Sequence, residues 1–129
     1  YSLNYNSDSF KASYSIDTGL KGYDSQRIAS SYIFNKTTLG VIYQDSEKTS
    51  IGNNESGYVY SIKHKISKKG SLLFQEAKSD MKVTGGKQTS FGYNHQIRTK
   101  LKVFTAYSQL SKDNSPYKDW ITLGFEYKF

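Results

Sequence analysis

Apolar and polar residues alternate with a period of two along almost the whole chain. Tyr1, Leu3 and Tyr5 begin the pattern, and the segment from Ile121 to Phe129 ends it. Such alternation places apolar side chains on one face of a β-strand and polar side chains on the other. It predicts nine strands of about ten residues each, in segments 1–6, 10–17, 26–35, 38–47, 57–66, 71–79, 88–97, 101–110 and 120–129.

Two segments fit the alternation less well. Segment 71–79 has adjacent apolar residues, Leu72, Leu73 and Phe74, so its facing is ambiguous. In segment 101–110, Phe104 and Ala106 interrupt the pattern. No segment between strands is suited to a crossover helix, which parallel neighbours would need. The sequence therefore predicts an all-β, antiparallel, up-and-down structure.

The connections between these strands alternate in length. Short ones are predicted at 7–9, 36–37, 67–70 and 98–100, and longer ones at 18–25, 48–56, 80–87 and 111–119. In an up-and-down meander, all short connections then lie at one end of the strands. This layout is typical of an outer-membrane β-barrel. A soluble lipocalin-like barrel could also alternate its loops, but less regularly.

Composition and charge narrow the classes of protein. Aromatic residues make up 16% of the chain although its mean hydropathy is −0.69, and disordered chains are poor in aromatics. The chain has no cysteine, which excludes disulfides, thiolate metal sites and a cysteine nucleophile. The net charge of +7 permits binding to anions, nucleic acid or acidic lipid but requires none of them.

The location of the apolar face separates soluble from membrane barrels. A soluble barrel turns this face inward, and a membrane barrel turns it toward lipid. The middle of the face is thin for a soluble core, with Ala12, Ser30 and Val41 among its residues. Aromatic residues collect near strand ends, as at the headgroup level of a bilayer. They predict an aromatic girdle at Tyr5, Phe10, Phe34, Tyr58 and Trp120.

The chain end carries a family resemblance. Segment 91–97, the turn 98–100 and the final Gly124-Phe125-Glu126-Tyr127-Lys128-Phe129 resemble the C-terminal end of a Gram-negative general porin. Segments 5–10 and 33–43 are similar to internal porin hairpins. The resemblance implies a trimeric channel for passive diffusion of ions and small hydrophilic solutes, without enzymatic activity or cofactor. It also implies that the barrel-assembly machinery reads the aromatic end of the chain, Phe125, Tyr127 and Phe129.

The same resemblance implies a location and an extent. The barrel would lie in the bacterial outer membrane, in contact with lipid and lipopolysaccharide, with long loops outside and short turns and C-terminus in the periplasm. Porins of this family have sixteen strands, and bacterial barrels have even strand counts. Residues 1–129 are therefore expected to be one barrel segment, the C-terminal part of a larger porin. The alternative is a complete eight-stranded barrel with a structural or adhesive role, in which residues 1–6 are not a strand.

A lumen would be lined by the polar face. Basic residues outnumber acidic ones there, which indicates a mild anion preference, although each could be an ordinary lumen charge. His64 and His95 fall on the apolar face, where interfacial packing is a better interpretation than metal binding. The candidate pore-lining residues are Lys11, Asp17, Arg27, Lys63, Lys65 and Lys128.

Two other classes of protein stay open from the sequence. A soluble basic β-barrel could bind single-stranded nucleic acid by stacking bases on aromatic residues. Such modules cluster their aromatics on one small sheet, whereas here they are spread over all nine segments. A surface protein that binds sugar or matrix is the other class, and the porin-like terminal segment is the only feature of the sequence that argues against it.

Overall fold

The chain forms one antiparallel sheet of nine strands. The structure, a computed structural model, describes residues 1–20, 22–48, 50, 53–80, 85–112 and 115–129. Each strand pairs with its neighbour in the sequence, and in these ranges β1 and β9 are not paired with each other, so the sheet is open. The strands are β1 (Ser2–Asn6), β2 (Phe10–Leu20), β3 (Tyr23–Phe34), β4 (Thr37–Lys48), β5 (Asn53–Lys65), β6 (Gly70–Ser79), β7 (Gly86–Arg98), β8 (Leu101–Lys112) and β9 (Ser115–Tyr127).

The nine predicted strands and their antiparallel order are confirmed, but the predicted alternation of connection lengths is wrong. Only two residues separate β2 from β3 and β8 from β9, as few as separate β3 from β4. The residues assigned to long loops are largely strand, because their backbones continue the ladder. Glu47 pairs with Asn54, and Lys112 pairs with Ser115. Without long loops at one end, connection length no longer indicates which end lies outside the cell.

The strand register gives the sheet two chemically distinct faces. Residues paired across a ladder lie on the same face, so the facing of one strand fixes that of the next. The ladder that joins Phe74, Phe91, Tyr107 and Ile121 defines the apolar face. It also resolves the ambiguous β6, where Leu72 and Phe74 share this face and Leu73 lies on the other. The opposite, polar face is rich in serine, glycine and alanine.

The apolar face carries a band that does not extend to both ends of the strands. In β3 the band runs from Phe34 to Ile28, and in β9 from Tyr127 to Ile121, about 20 Å along the strand in each case. Beyond it, the same face becomes polar at residues such as Asp24, Glu47, Glu76, Lys87 and Asp119. The band begins at the end where 7–9, 35–36, 66–69 and 99–100 connect the strands.

In the described part of the chain, the sheet has no buried apolar core. No described hydrophobic side chain is buried, and Leu123 and Phe125 on the apolar face are 78% and 74% exposed. The accessible surface is 9854 Å², whereas a compact monomer of this mass exposes about 6,900 Å². No helix among the described residues is long and apolar enough to cross a membrane. The sheet thus exposes the surface that a globular domain would bury.

Candidate functional site

The polar face is the concave side of the sheet. One groove of about 680 Å³ is lined by residues of six consecutive strands, from Tyr23 and Ser25 in β3 to Leu110 in β8. A second groove of about 440 Å³ is lined by residues of β1 to β5, including Asn4 and Lys11. Most of the lining side chains belong to the polar face. The sheet therefore curls around a polar interior, and the apolar face is its outer side.

The register places the predicted lumen charges on this concave face. Lys11 pairs with Ser31, Asp17 with Ser25, Arg27 with Gln44, Lys63 with Leu73, and Lys65 with Ser71. All five charged residues are exposed. Lys128 lies just beyond β9, where its backbone N–H donates to the carbonyl of Lys100 at 2.8 Å. These residues are spread along the face, so they form a charged wall and do not converge on one point.

Arg27 is held by a chain of neutral partners. Its Nε and Nη2 donate to Oε1 of Gln44 at 3.0 and 2.5 Å. Nε2 of Gln44 donates to Oγ of Ser46 at 3.1 Å, and Ser25 donates to the same oxygen at 2.9 Å. Because no carboxylate takes part, the network fixes the direction of the guanidinium without neutralising its charge. Alternation within single strands does not predict this network, since its members lie on β3 and β4 and meet only through the register between these two strands.

Lys102 and Glu126 form a neutral pair on the same face. They are directly opposite in the β8–β9 ladder, and Nζ lies 2.5 Å from Oε2. Nearby, the hydroxyls of Ser90 and Ser108 are 2.8 Å apart, and Ser108 is 6% exposed. The β7–β9 part of the polar face thus holds one ion pair and one hydroxyl pair, whereas Lys11, Lys63 and Lys65 of β2 and β5 have no acidic partner in the described ranges.

One girdle residue was assigned to the wrong face. Trp120 lies opposite Ser108 in the ladder, in register with Thr122 and Gly124, and so belongs to the polar face. The prediction relied on nearness to a strand end, and alternation from Ile121 contradicts it. Phe104 also lies on the polar face, directly opposite Gly124, and its ring occupies the space of the missing side chain. This contact explains the break in alternation in β8.

The other girdle residues lie at the margins of the apolar band. Tyr5, Phe10 and Phe34 are on the apolar face beside the connections 7–9 and 35–36, and the Tyr5 and Phe10 rings are 6.1 Å apart. Tyr58 lies at the opposite margin, paired with Tyr43. Aromatic side chains thus border both ends of the band.

The two histidines lie at the margin of the apolar band next to connections 35–36 and 66–69. Nδ1 of His64 is 2.9 Å from the hydroxyl of Thr37, and Nδ1 of His95 is 2.9 Å from the hydroxyl of Tyr93. Each ring is thus hydrogen-bonded to a neighbour on the apolar face. Among the described residues, no group of three histidines or carboxylates is arranged to hold a metal ion.

The residues predicted to form an assembly signal share one face of the last strand. Phe125 and Tyr127 are paired with Val103 and Leu101. Phe129 lies beyond the strand, fully exposed, with its ring 5.5 Å from that of Tyr127 in an edge-to-face arrangement. Because its side chain is fully exposed, Phe129 contributes little to the packing of the sheet.

Asp80 holds Ser56, one of the residues that line the 680 Å³ groove. Its Oδ2 accepts a hydrogen bond from Ser56 Oγ at 2.8 Å, and its Oδ1 accepts one from the Ser56 backbone N–H. The bond from the backbone N–H, followed by that from the hydroxyl, lowers the pKa of Asp80 below its usual value of 3.8. The ionised carboxylate therefore fixes the position of one lining residue of the groove.

No protein-family model and no curated protein sequence matches this chain. The function of the sheet is therefore inferred from its two faces, its apolar band and its two grooves.

Proposed function

We propose that this sheet forms part of the wall of an outer-membrane porin, a water-filled channel for ions and small hydrophilic solutes. The apolar outer face would meet lipid, and the polar concave face would line the lumen. The observation that carries the proposal is the continuous apolar band on the convex side, combined with a charged concave side. A soluble barrel needs the opposite arrangement, with apolar residues on the concave side.

The direction of the band supports strands that cross a membrane at a tilt. The row of ladder partners that starts at Tyr5 in β1 passes through Val41 and Tyr60 and ends at Asp119 in β9. In β9 the same band margin is at Tyr127, eight residues away. The band therefore crosses the ladder rows diagonally, by one residue per strand.

This drift corresponds to a strand tilt. With a rise of about 3.4 Å per residue and a strand spacing of about 4.8 Å, one residue per strand gives a tilt of about 35°. Strands of membrane barrels are tilted by about 35–45°. A flat apolar layer, such as the hydrocarbon of a bilayer, would match a band of this slope.

The unpaired edges support completion of the sheet by further strands. In lipid, open edges leave backbone N–H and C=O groups without partners, so spanning sheets are closed. An antiparallel meander of nine strands leaves β1 and β9 pointing the same way, so direct closure would create a parallel pair. An odd number of additional strands restores antiparallel pairing. Seven additional strands would give the sixteen-stranded barrel that the resemblance implies. The alternative, a complete eight-stranded barrel of β2 to β9, would need β2 to pair with β9, and these two strands are not paired in the described ranges.

The proposal is tested by a matched pair of substitutions in β9. Leu123 lies in the middle of the apolar band, and the adjacent Thr122 lies on the concave face. Lysine at position 123 would face lipid at a cost of about 2–4 kcal/mol, whereas lysine at 122 would face water. In the complete porin, with the barrel closed, we expect Leu123→Lys to reduce the yield of membrane-inserted protein and Thr122→Lys to preserve it. Insertion is measured as resistance to alkaline carbonate extraction, followed by conductance in planar bilayers.

Three outcomes would contradict the proposal. The first is a wild-type protein that is released by carbonate without detergent. The second is an inserted protein without conductance steps. The third is equal loss of insertion in both variants. Binding of single-stranded nucleic acid by a carbonate-soluble protein would instead support the soluble basic barrel.

A further inference from the structure

Positive charge is concentrated at one end of the strands. We call "basic end" the four connections 7–9, 35–36, 66–69 and 99–100 with two residues on either side, together with residues 126–129. The basic end contains nine lysine or arginine residues and two acidic residues, a net charge of +7. This equals the net charge of the entire chain, so the remaining residues are neutral in sum.

The turns of the basic end are held by their own hydrogen bonds. Oγ of Ser67 accepts bonds from the backbone N–H of Gly70 at 2.8 Å and of Lys69 at 3.2 Å. Nε2 of Gln96 donates to the carbonyls of Thr99 at 3.3 Å and Leu101 at 3.2 Å. Serine and glutamine thus satisfy these backbone groups, and the lysine side chains take no part.

The ammonium groups at the turns are left without acidic partners. In the described ranges, Lys102 is the one member of the basic end in an ion pair, with Glu126. Five others lie in or beside the turns and are exposed: Lys36, Lys68, Lys69, Arg98 and Lys100. Adjacent turns are two strands apart, about 10 Å. This is close to the Debye length of physiological salt, so their potentials overlap.

These charges lie immediately beyond the aromatic margin of the apolar band. Lys36 is two residues from Phe34, and Lys100 accepts the backbone bond of Lys128, which lies between Tyr127 and Phe129. Aromatic side chains at a band margin suit the headgroup level of a bilayer. A basic layer just outside them is placed at the depth of the lipid phosphates.

We infer that the basic end binds the headgroup phosphates of anionic phospholipids, through the five turn residues named above. The inference rests on the proposed function and adds to it a lipid partner at one end of the strands. Lys11 and Lys65 belong to the basic end by position, but their side chains lie on the concave face, away from lipid, and are not among the five residues proposed to bind phosphate.

Spin-labelled lipids test the inference in reconstituted protein. The protein is placed in vesicles of equimolar phosphatidylcholine and phosphatidylglycerol, with a trace of spin-labelled lipid of either headgroup. The motionally restricted fraction then gives the relative affinity of the protein surface for each lipid. We expect phosphatidylglycerol to be preferred about fivefold, the factor that one basic residue at a membrane surface contributes. High salt should remove the preference, because it screens the charges.

Two triple variants remove the same charge from opposite ends. Lys68→Gln/Lys69→Gln/Lys100→Gln should bring the preference close to one. Lys48→Gln/Lys78→Gln/Lys118→Gln, away from the basic end, should leave it unchanged. Absence of a preference in the wild-type protein, or equal loss in both variants, would overturn the inference. Failure of the wild-type protein to insert into pure phosphatidylcholine vesicles would instead count against the proposed channel.

Discussion

At the scale of single residues, the contact between Phe104 and Gly124 shows how an aromatic ring is accommodated on the polar face. A Cβ on Gly124 would lie 2.9 Å from Cε1 of the ring, which would have to move. We expect Gly124→Ala to lower the free energy of unfolding in detergent by about 1–3 kcal/mol. In a Phe104→Ala background the same change should cost almost nothing. Additive costs in this double-mutant cycle, measured by urea titration, would show that the ring does not depend on the glycine.

The contact between Asp80 and Ser56, a residue that lines the 680 Å³ groove, is sensitive to acid. The pKa of Asp80 is lower in the folded chain than its usual value of 3.8, so its stabilising effect is complete at higher pH. It is lost as the pH falls below about 4 and through the folded value. We expect the Ser56 amide to lose protection over this range, in hydrogen exchange corrected for intrinsic rates. In the Asp80→Asn variant, the Ser56 amide should be less protected and its protection should not change with acid. If protection in that variant still falls over the same pH range, another group is responsible for the acid dependence.

At the scale of elements, the last strand combines a poorly packed end with a proposed recognition role. Phe129 is fully exposed and contacts the ring of Tyr127, so its burial against a membrane edge contributes at most about 1.5–3 kcal/mol. We expect deletion of Phe129 to reduce the rate and yield of assembly in cells far more than the yield of refolding into detergent. Normal assembly of the deletion variant in cells would mean that β9 is only an amphipathic strand.

Comparison of the strands with the alternation pattern shows which features of the fold can be predicted from the sequence. Alternation predicted nine strands and the correct facing of β9, because only one face of each strand is apolar. It misjudged strand ends such as Asn53 to Ser56, which were assigned to a loop, since both faces are polar there and a solvated strand has the composition of a loop. Phe104 was recognised as irregular, but its partner Gly124 depends on a register between two strands, which alternation within one strand does not determine.

At the scale of the whole molecule, the charges on the wall of the proposed lumen are expected to determine which ions the channel prefers. Lys11, Lys63 and Lys65 lie on the concave face and have no acidic partner in the described ranges. Their replacement by glutamate should shift ion preference toward cations, seen as a change of reversal potential across a salt gradient. As a control, Lys78→Glu changes the same charge on the outer face and should have a smaller effect than Lys63→Glu. An unchanged reversal potential in the triple variant would exclude these lysines from the lumen.

The strictly sequential strand order has a consequence for how such a sheet can form. Each strand pairs only with its chain neighbours, so every pairing closes a loop of two to six residues. Closing short loops costs little chain entropy, and structures dominated by local contacts fold quickly. The sheet can therefore grow one hairpin at a time from any point, and only the joining of its two outer edges demands a search over distant parts of a chain. The slow, error-prone step of assembly is expected at that seam, where a catalyst of folding would have the most to accelerate.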